Sequence, residues 1–245
     1  MKYAALFVLL IPVSGWSAIA VSSQTFHQHT GAAGVDTWTF NCNGGNLLVL
    51  APISSQGFLV VGSSFNGVNL TMSTQTINGS GPTAAALWYL VNPSAGSNTM
   101  SITWSDTGGS VNQGAGAVCF SGVNTSAPID VANCSISGSG GTTVTVNLVT
   151  TVNNDFLDDV LMNNSQTITI TSGSGTIQWF HNGVTEPPFG IQIGSTKGPV
   201  STGSNSMTYV TTNTFSQPTY CGLAVEPAAV AGGAPPKMMK METCD

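Results

Sequence analysis

The sequence predicts an all-β fold: a two-sheet antiparallel β-sandwich of about a dozen strands, with jelly-roll or lectin-like topology. Three observations carry this. The apolar segments are short and separated by Gly, Asn, Ser and Pro clusters. Several of them alternate apolar and polar residues, the period of a half-buried strand. No window sustains a 3.6-residue period over three turns, so no long helix is expected.

The chain opens like a secretory leader. Lys2 supplies the positive end, residues 4–13 an apolar core, and Ala18-Ile19-Ala20 a small-x-small cleavage site. Cleavage there makes residues 1–20 a signal peptide and Val21 the mature start. The alternative is a buried first strand. The apolar stretch is too short to span a membrane comfortably.

The strands follow in order. Trp38, Phe40 and Cys42 alternate with Thr37, Thr39 and Asn41. Residues 47–50 and 58–61 are continuous apolar runs, read as central strands buried on both faces. Asn66-Gly67 is a two-residue hairpin turn leading into Val68, Leu70 and Met72. Residues 84–91 form another buried run, and Met100, Ile102 and Trp104 alternate with Ser101 and Thr103. Later segments are 117–120, then Val144, Val146 and Leu148, then 156–162, 168–170, 177–179, 207–209 and 221–225. The stretch 155–162 is long enough for one or two helical turns. It is read as a strand, because it is short and follows Thr-rich β-formers. More than about ten strands in one open sheet tend to split into two layers. Residues 21–227 are therefore read as one sandwich domain. Residues 228–245, rich in Ala, Gly, Pro, Lys and Met, are read as a disordered tail.

Charge narrows the function. The chain has 245 residues, a net charge of −6, only 6% charged residues and no arginine. Arginine is the usual bidentate handle for phosphate, nucleic acid and carboxylate. Its absence and the acidic balance argue against nucleic-acid and anionic-membrane partners. Solubility must come from hydroxyls and amides, which suits an exported β protein. Recognition is then left to neutral hydrogen-bonding groups and aromatics.

Five cysteines are present. The four in the body, Cys42, Cys119, Cys134 and Cys221, suggest two disulfides in an exported chain, and Cys244 lies in the tail. Three connectivities are open. Chain order favours Cys119–Cys134 across one connection and Cys42–Cys221 between the first and last core strands. No Cys/His spacing of a zinc site occurs.

A set of landmarks resembles a recurrent domain. They are Trp38 to Leu50 with its Gly-Asn turn, Asn66-Gly67-Val68, and Leu87-Trp88-Tyr89-Leu90-Val91-Asn92-Pro93. Further along come Ala117-Val118-Cys119-Phe120-Ser121-Gly122-Val123-Asn124 with Ala127-Pro128-Ile129-Asp130, then residues 194–200, Met207-Thr208-Tyr209 and residues 222–228. Over residues 35–228 the chain resembles a widespread, largely uncharacterised group of exported or phage-associated β-sandwich domains. The resemblance implies a surface, extracellular or virion-associated protein without general catalytic residues. The arginine usual before the first Leu run is replaced here by Gly45-Asn46-Leu47.

Candidate chemistry is sparse. His27 and His29 share a face of any strand and, with His181, would make a three-nitrogen metal site. The commoner reading is three solvated histidines on an edge strand and a turn. Asp155, Asp158 and Asp159 are the residues that could take Ca²⁺, the one ion the sequence allows for; no other cofactor is implied. There is no Ca²⁺-loop motif, and a satisfied turn or edge position is the expectation for these aspartates. A glycosidase pair of Glu186 with one of them would need a cleft between the two. There is no nucleophile elbow, Walker loop or HExxH.

Trp38, Trp88 and Trp104 sit in core patterns. Trp179, Phe180, His181, Asn182, Glu186 and Phe189 are the candidate ligand surface, an aromatic platform with amide and carboxylate neighbours. The expected function is a secreted, non-catalytic surface module for adhesion or carbohydrate binding. The expected partners are a glycan, a cell surface or particle, or further copies of the chain. The alternatives are a structural subunit of an appendage or virion, and a glycoside hydrolase.

Overall fold

The structure, a computed structural model, describes residues 17–32, 34–55, 57, 59–79, 83–105, 110–136, 140–164, 169–182 and 190–229; residues 30–32, 110–112 and 180–182 are described by their backbone alone. Seventeen strands form four antiparallel sheets. The N-terminal half runs β1 (Ala20–Ala32), β2 (Val35–Asn41), β3 (Leu47–Ser54), β4 (Val60–Phe65), β5 (Val68–Asn69), β6 (Thr71–Asn78), β7 (Thr83–Val91), β8 (Ser97–Trp104) and β9 (Ser110–Ser121). The C-terminal half runs β10 (Ile129–Ile136), β11 (Thr143–Thr150), β12 (Asp155–Asn163), β13 (Ile170–Gly173), β14 (Thr176–Asn182), β15 (Ile191–Val200), β16 (Gly203–Thr211) and β17 (Thr219–Val225).

Each half is a sandwich. The N-terminal half has an outer sheet ordered β2-β8-β4-β5 and an inner sheet ordered β1-β9-β3-β7-β6. The C-terminal half has an inner sheet ordered β10-β17-β12-β15-β14 and an outer sheet ordered β11-β16-β13. Three apolar cores lie between the layers. Phe40, Leu48, Leu50, Trp88, Met100 and Trp104 fill the N-terminal sandwich. Val146, Leu157, Leu161, Ile193, Met207 and Tyr220 fill the C-terminal one. Leu47, Val49, Leu87, Phe120, Val160, Trp179 and Leu223 join the two inner sheets.

The antiparallel sandwich expected from the sequence is present, with four layers in place of two and more strands than the dozen read. The inner strands explain the extra layers. All eight residues of β3 are buried, and so are eight of the nine in β12. A strand buried on both faces needs a layer on each side.

The two halves share one topology. β10, β11, β12, β13, β14, β15, β16 and β17 occupy the places of β1, β2, β3, β4, β6, β7, β8 and β9 in the sheet orders; only the two-residue β5 has no counterpart. Leu47 of β3 pairs with Phe120, and Phe156 of β12 pairs with Val225. Leu47 and Phe156 both face the central core, whereas Leu48 and Leu157 each face their own sandwich. Val49 and Leu50 therefore correspond to Asp158 and Asp159. The halves pack reciprocally: β1 lies on β14 and β10 lies on β6, as in a two-fold dimer fused into one chain.

Three expectations are corrected. The disulfides are Cys42–Cys119 and Cys134–Cys221, one inside each half. Cys134 and Cys221 are register partners on adjacent strands, which brings them together more directly than any pairing between halves. The run at 58–61 is not a central buried strand. Val60 begins β4, and Val61 is 63% exposed at a bulge. Asp158 and Asp159 are neither at a turn nor at an edge, because they lie inside β12, the middle strand of its sheet, whereas Asp155 opens that strand directly after a turn. The Asn66-Gly67 turn is present, with positive φ at both residues as a type I′ hairpin requires.

Candidate functional site: a cleft beside Phe156

Where β1 of one half meets β14 and β15 of the other, the layers part into a cleft. Its volume is about 530 Å³, and it is lined by Val21 of β1, Phe156 of β12, Thr176 and Gln178 of β14, and Thr196, Lys197 and Gly198 of β15. Ser174 and Gly175, the turn between β13 and β14, complete it. A second hollow of about 220 Å³ lies on the other side, between Ile19, Asn154 and Pro199, and Phe156 lines both.

Local sequence explains the shape. Phe156 packs edge-on against Phe120 at 5.9 Å, which fixes one side of its ring. Its other contact is Gly198, where any Cβ would overlap the ring. Gln178 Nε2 donates to Thr196 Oγ1 at 2.7 Å and to the Thr176 carbonyl at 3.3 Å. Lys197 Nζ donates to the Ser206 carbonyl at 3.3 Å. The wall is thus an aromatic ring, hydroxyls, an amide and one ammonium, with no carboxylate among its lining residues. The counterpart of Phe156 in the other half, Leu47, is fully buried, so the duplicated position is sealed there.

A second polar group is fully enclosed. Asp159 projects into the C-terminal core at the position of Leu50. Its Oδ2 accepts the Tyr220 hydroxyl at 2.6 Å, and its Oδ1 accepts the Tyr209 hydroxyl at 3.0 Å and the Ser195 N–H at 2.8 Å. The Ser195 hydroxyl adds contacts at 3.1 Å. Burial lifts Asp159 to about 6, and the Tyr220, Ser195 and Tyr209 donors hold it from rising further. Burial, and then the charge of Asp159, lift both tyrosines well above their usual range.

Asp158 points the other way, toward the central core. Burial, followed by the neighbouring Asp159, holds its carboxyl well above the usual range. Asp155 is wholly buried, and neither of its oxygens finds a donor among the described residues. Burial, and then the adjacent Asp130 carboxyl with a smaller effect of Glu226, push Asp155 up to about 8. Of these two neighbouring carboxyls, Asp155 is the one held protonated. Asp130 is the ionised partner. Burial works against its charge, but the Thr151 hydroxyl and N–H, at 2.5 and 2.6 Å, outweigh that and lower its pKa.

The sequence candidates fare unevenly. Trp179 is 6% exposed, so it is no surface platform. It stacks on Phe26 at 5.1 Å in the central core. Gly116 and Gly194 make room for it, since a Cβ on either would overlap the indole. Phe180, His181 and Asn182 end β14, with side chains outside the described part, and Glu186 and Phe189 lie outside the described residues. Asp155, Asp158 and Asp159 are buried on two faces of β12, so none flanks a substrate cleft as a glycosidase pair would. Among the described residues, no group of three His, Cys, Asp or Glu side chains stands in metal-holding geometry.

His27 and His29 do share a face. Both imidazoles reach one carboxylate, Asp36, at 3.1 and 3.3 Å, and His27 stacks on Trp38 at 4.6 Å. They are partnered with Asp36 and only part-exposed, so the freely solvated edge histidines of the sequence reading give way to an imidazole–carboxylate cluster. Trp88 and Trp104 are core residues as read, and Trp38 packs partly against the same core.

Sequence reasoning did not select Phe156, Gln178, Thr196 or Lys197. The only local signal was Gly198-Pro199 closing a strand, because the cleft is made by strands from both halves. No protein-family model matches the chain, and no curated protein shows significant similarity to it.

Proposed function

We propose that the protein is a secreted, non-catalytic surface module that binds a glycan in the cleft beside Phe156. The observation that carries this is the composition of the wall: one part-exposed aromatic ring set among Thr176, Gln178 and Thr196. Sugars present apolar C–H faces edged by hydroxyls, and such ligands are met by a ring with neutral donors and acceptors around it. The two disulfides are compatible with an oxidising, extracellular setting. An oligosaccharide array followed by titration calorimetry tests the reading. Binding in the micromolar-to-millimolar range that weakens in Gln178→Ala and Phe156→Ala supports it. Absence of binding across soluble and insoluble polysaccharides overturns it.

A second reading, a structural subunit of an appendage or virion, is favoured by one observation. Val35 and Val61, 65% and 63% exposed, lie near each other on the outer N-terminal sheet, on either side of Thr103. Exposed apolar pairs of this kind are what an assembly contact covers. A protein that remains monomeric at high concentration by sedimentation counts against it.

A further inference from the structure

We propose that the cleft beside Phe156 takes an anionic sugar, one carrying a carboxylate or a sulfate, with Lys197 as its counter-charge. This deepens the glycan reading of the same cleft and rests on it.

The argument is an account of charges. Lys197 is the one Lys or Arg among the described residues, and no described carboxylate forms an ion pair with it. Every described carboxyl is either engaged elsewhere or buried. Asp36 holds His27 and His29, Asp130 holds Thr151, and Glu226 accepts from Asn124 at 2.8 Å. Asp159 is enclosed by Tyr209, Tyr220 and Ser195, and Asp155 and Asp158 are buried. A protein of net charge −6 thus keeps a cation at the edge of this cleft with no ion-pair partner among the described residues.

Of the three ammonium protons, the Ser206 carbonyl accepts one, and no other acceptor among the described residues reaches it. The cleft lining offers a bound anion no like charge to repel it. Charge-assisted hydrogen bonds are the strong ones in such a neutral wall. A lysine acts as a point charge and does not demand the planar fork that arginine reads, so carboxylate and sulfate esters both fit.

The test uses pairs matched in everything but the acidic group: oligogalacturonate and its methyl ester, a sulfated galactan fragment and its desulfated form, and sialyllactose and its methyl ester. Titration of the purified protein at low salt is expected to show one acidic member bound about fivefold tighter than its neutral twin. The gap should shrink at high salt. In Lys197→Gln the ratio of acidic to neutral affinity should fall to about one. Equal affinity for the members of every pair that binds, or a gap that survives Lys197→Gln, overturns the anionic inference and leaves the glycan reading standing. No binding by any member, acidic or neutral, overturns the glycan reading itself.

Discussion

The carboxylate of Asp159 accepts the hydroxyl of Tyr220 at 2.6 Å inside a core that, among the described residues, offers it no cation. In most proteins a buried carboxylate is met by arginine or lysine. Here the chain has no arginine, and neutral donors take that place: two tyrosines, a serine hydroxyl and a backbone N–H. Losing one should be costly. Tyr220→Phe is expected to lose about 1–3 kcal/mol, the range for leaving a buried charged group short of a hydrogen bond. The loss should be larger at pH 7.5 than at pH 5, because a protonated Asp159 needs fewer donors. Urea melts at the two pH values check this, and an equal loss at both would contradict it.

Stability should fall as pH rises from about 4 toward 8. The sign follows from the protons. Asp155 is held at about 8 and Asp159 at about 6 in the fold, and both are near 3.8 when unfolded. Asp158 is raised as well. Over this window the native state keeps protons that the unfolded chain has released, so each added pH unit favours unfolding. One such proton is worth at most about 1.4 kcal/mol per pH unit. The opposite slope, from Asp130, appears only below the unfolded value near 3.8 and ends once the pH has fallen past its lowered folded pKa. Thermal melts across pH 4–8 should show the highest Tm at the acidic end.

Asp155→Asn should flatten the upper part of that profile. The amide is close to the carboxyl in size and cannot titrate. Between pH 6 and 8 the variant should decline less steeply than the wild-type protein, with the raised carboxyl of Asp158 supplying the slope that remains. Parallel profiles for the two proteins would rule out Asp155 as the source of the slope.

The disulfide map is directly readable. Non-reducing peptide mapping should yield Cys42 linked to Cys119 and Cys134 linked to Cys221. Reducing either bond closes off a loop constraint worth about 2–4 kcal/mol. Because each bond lies within one half, Cys134→Ala with Cys221→Ala should leave the Cys42–Cys119 peptide pair intact.

Gly116 and Gly194 carry Trp179 between the halves. Gly194→Ala should cost at least about 1–3 kcal/mol, the usual penalty for overpacking a filled core. Trp179 fluorescence should shift to the red as the indole is pushed toward solvent. A silent substitution would place Trp179 elsewhere.

Much of the fold was legible one strand at a time. The alternation of Trp38 and Phe40, the Asn66-Gly67 turn and the short runs between glycines all read as strands, because strand periodicity is a property of neighbouring residues. Even the opposite facing of Asp158 and Asp159 followed from that period. Their burial did not. Two consecutive aspartates look like a surface turn unless Tyr209, Tyr220 and Ser195, distant in sequence, are known to converge on one of them. The burial of Trp179, the one member of the candidate ligand surface with a described side chain, was hidden for a related reason. Trp179 next to Phe180 looked exposed until Gly116, on a strand of the other half, proved to be the floor beneath it.

What the sequence by itself determined is the class of the fold, most of its strands and the exclusion of arginine-dependent chemistry; these depend on composition and on contacts a few residues long. The tertiary structure alone decided the duplication into two reciprocal sandwiches, the disulfide pairing, the proton-bearing aspartates and the cleft beside Phe156. Each of those depends on which strands lie side by side and which faces meet, and sheet order is set by long-range packing that no local pattern encodes.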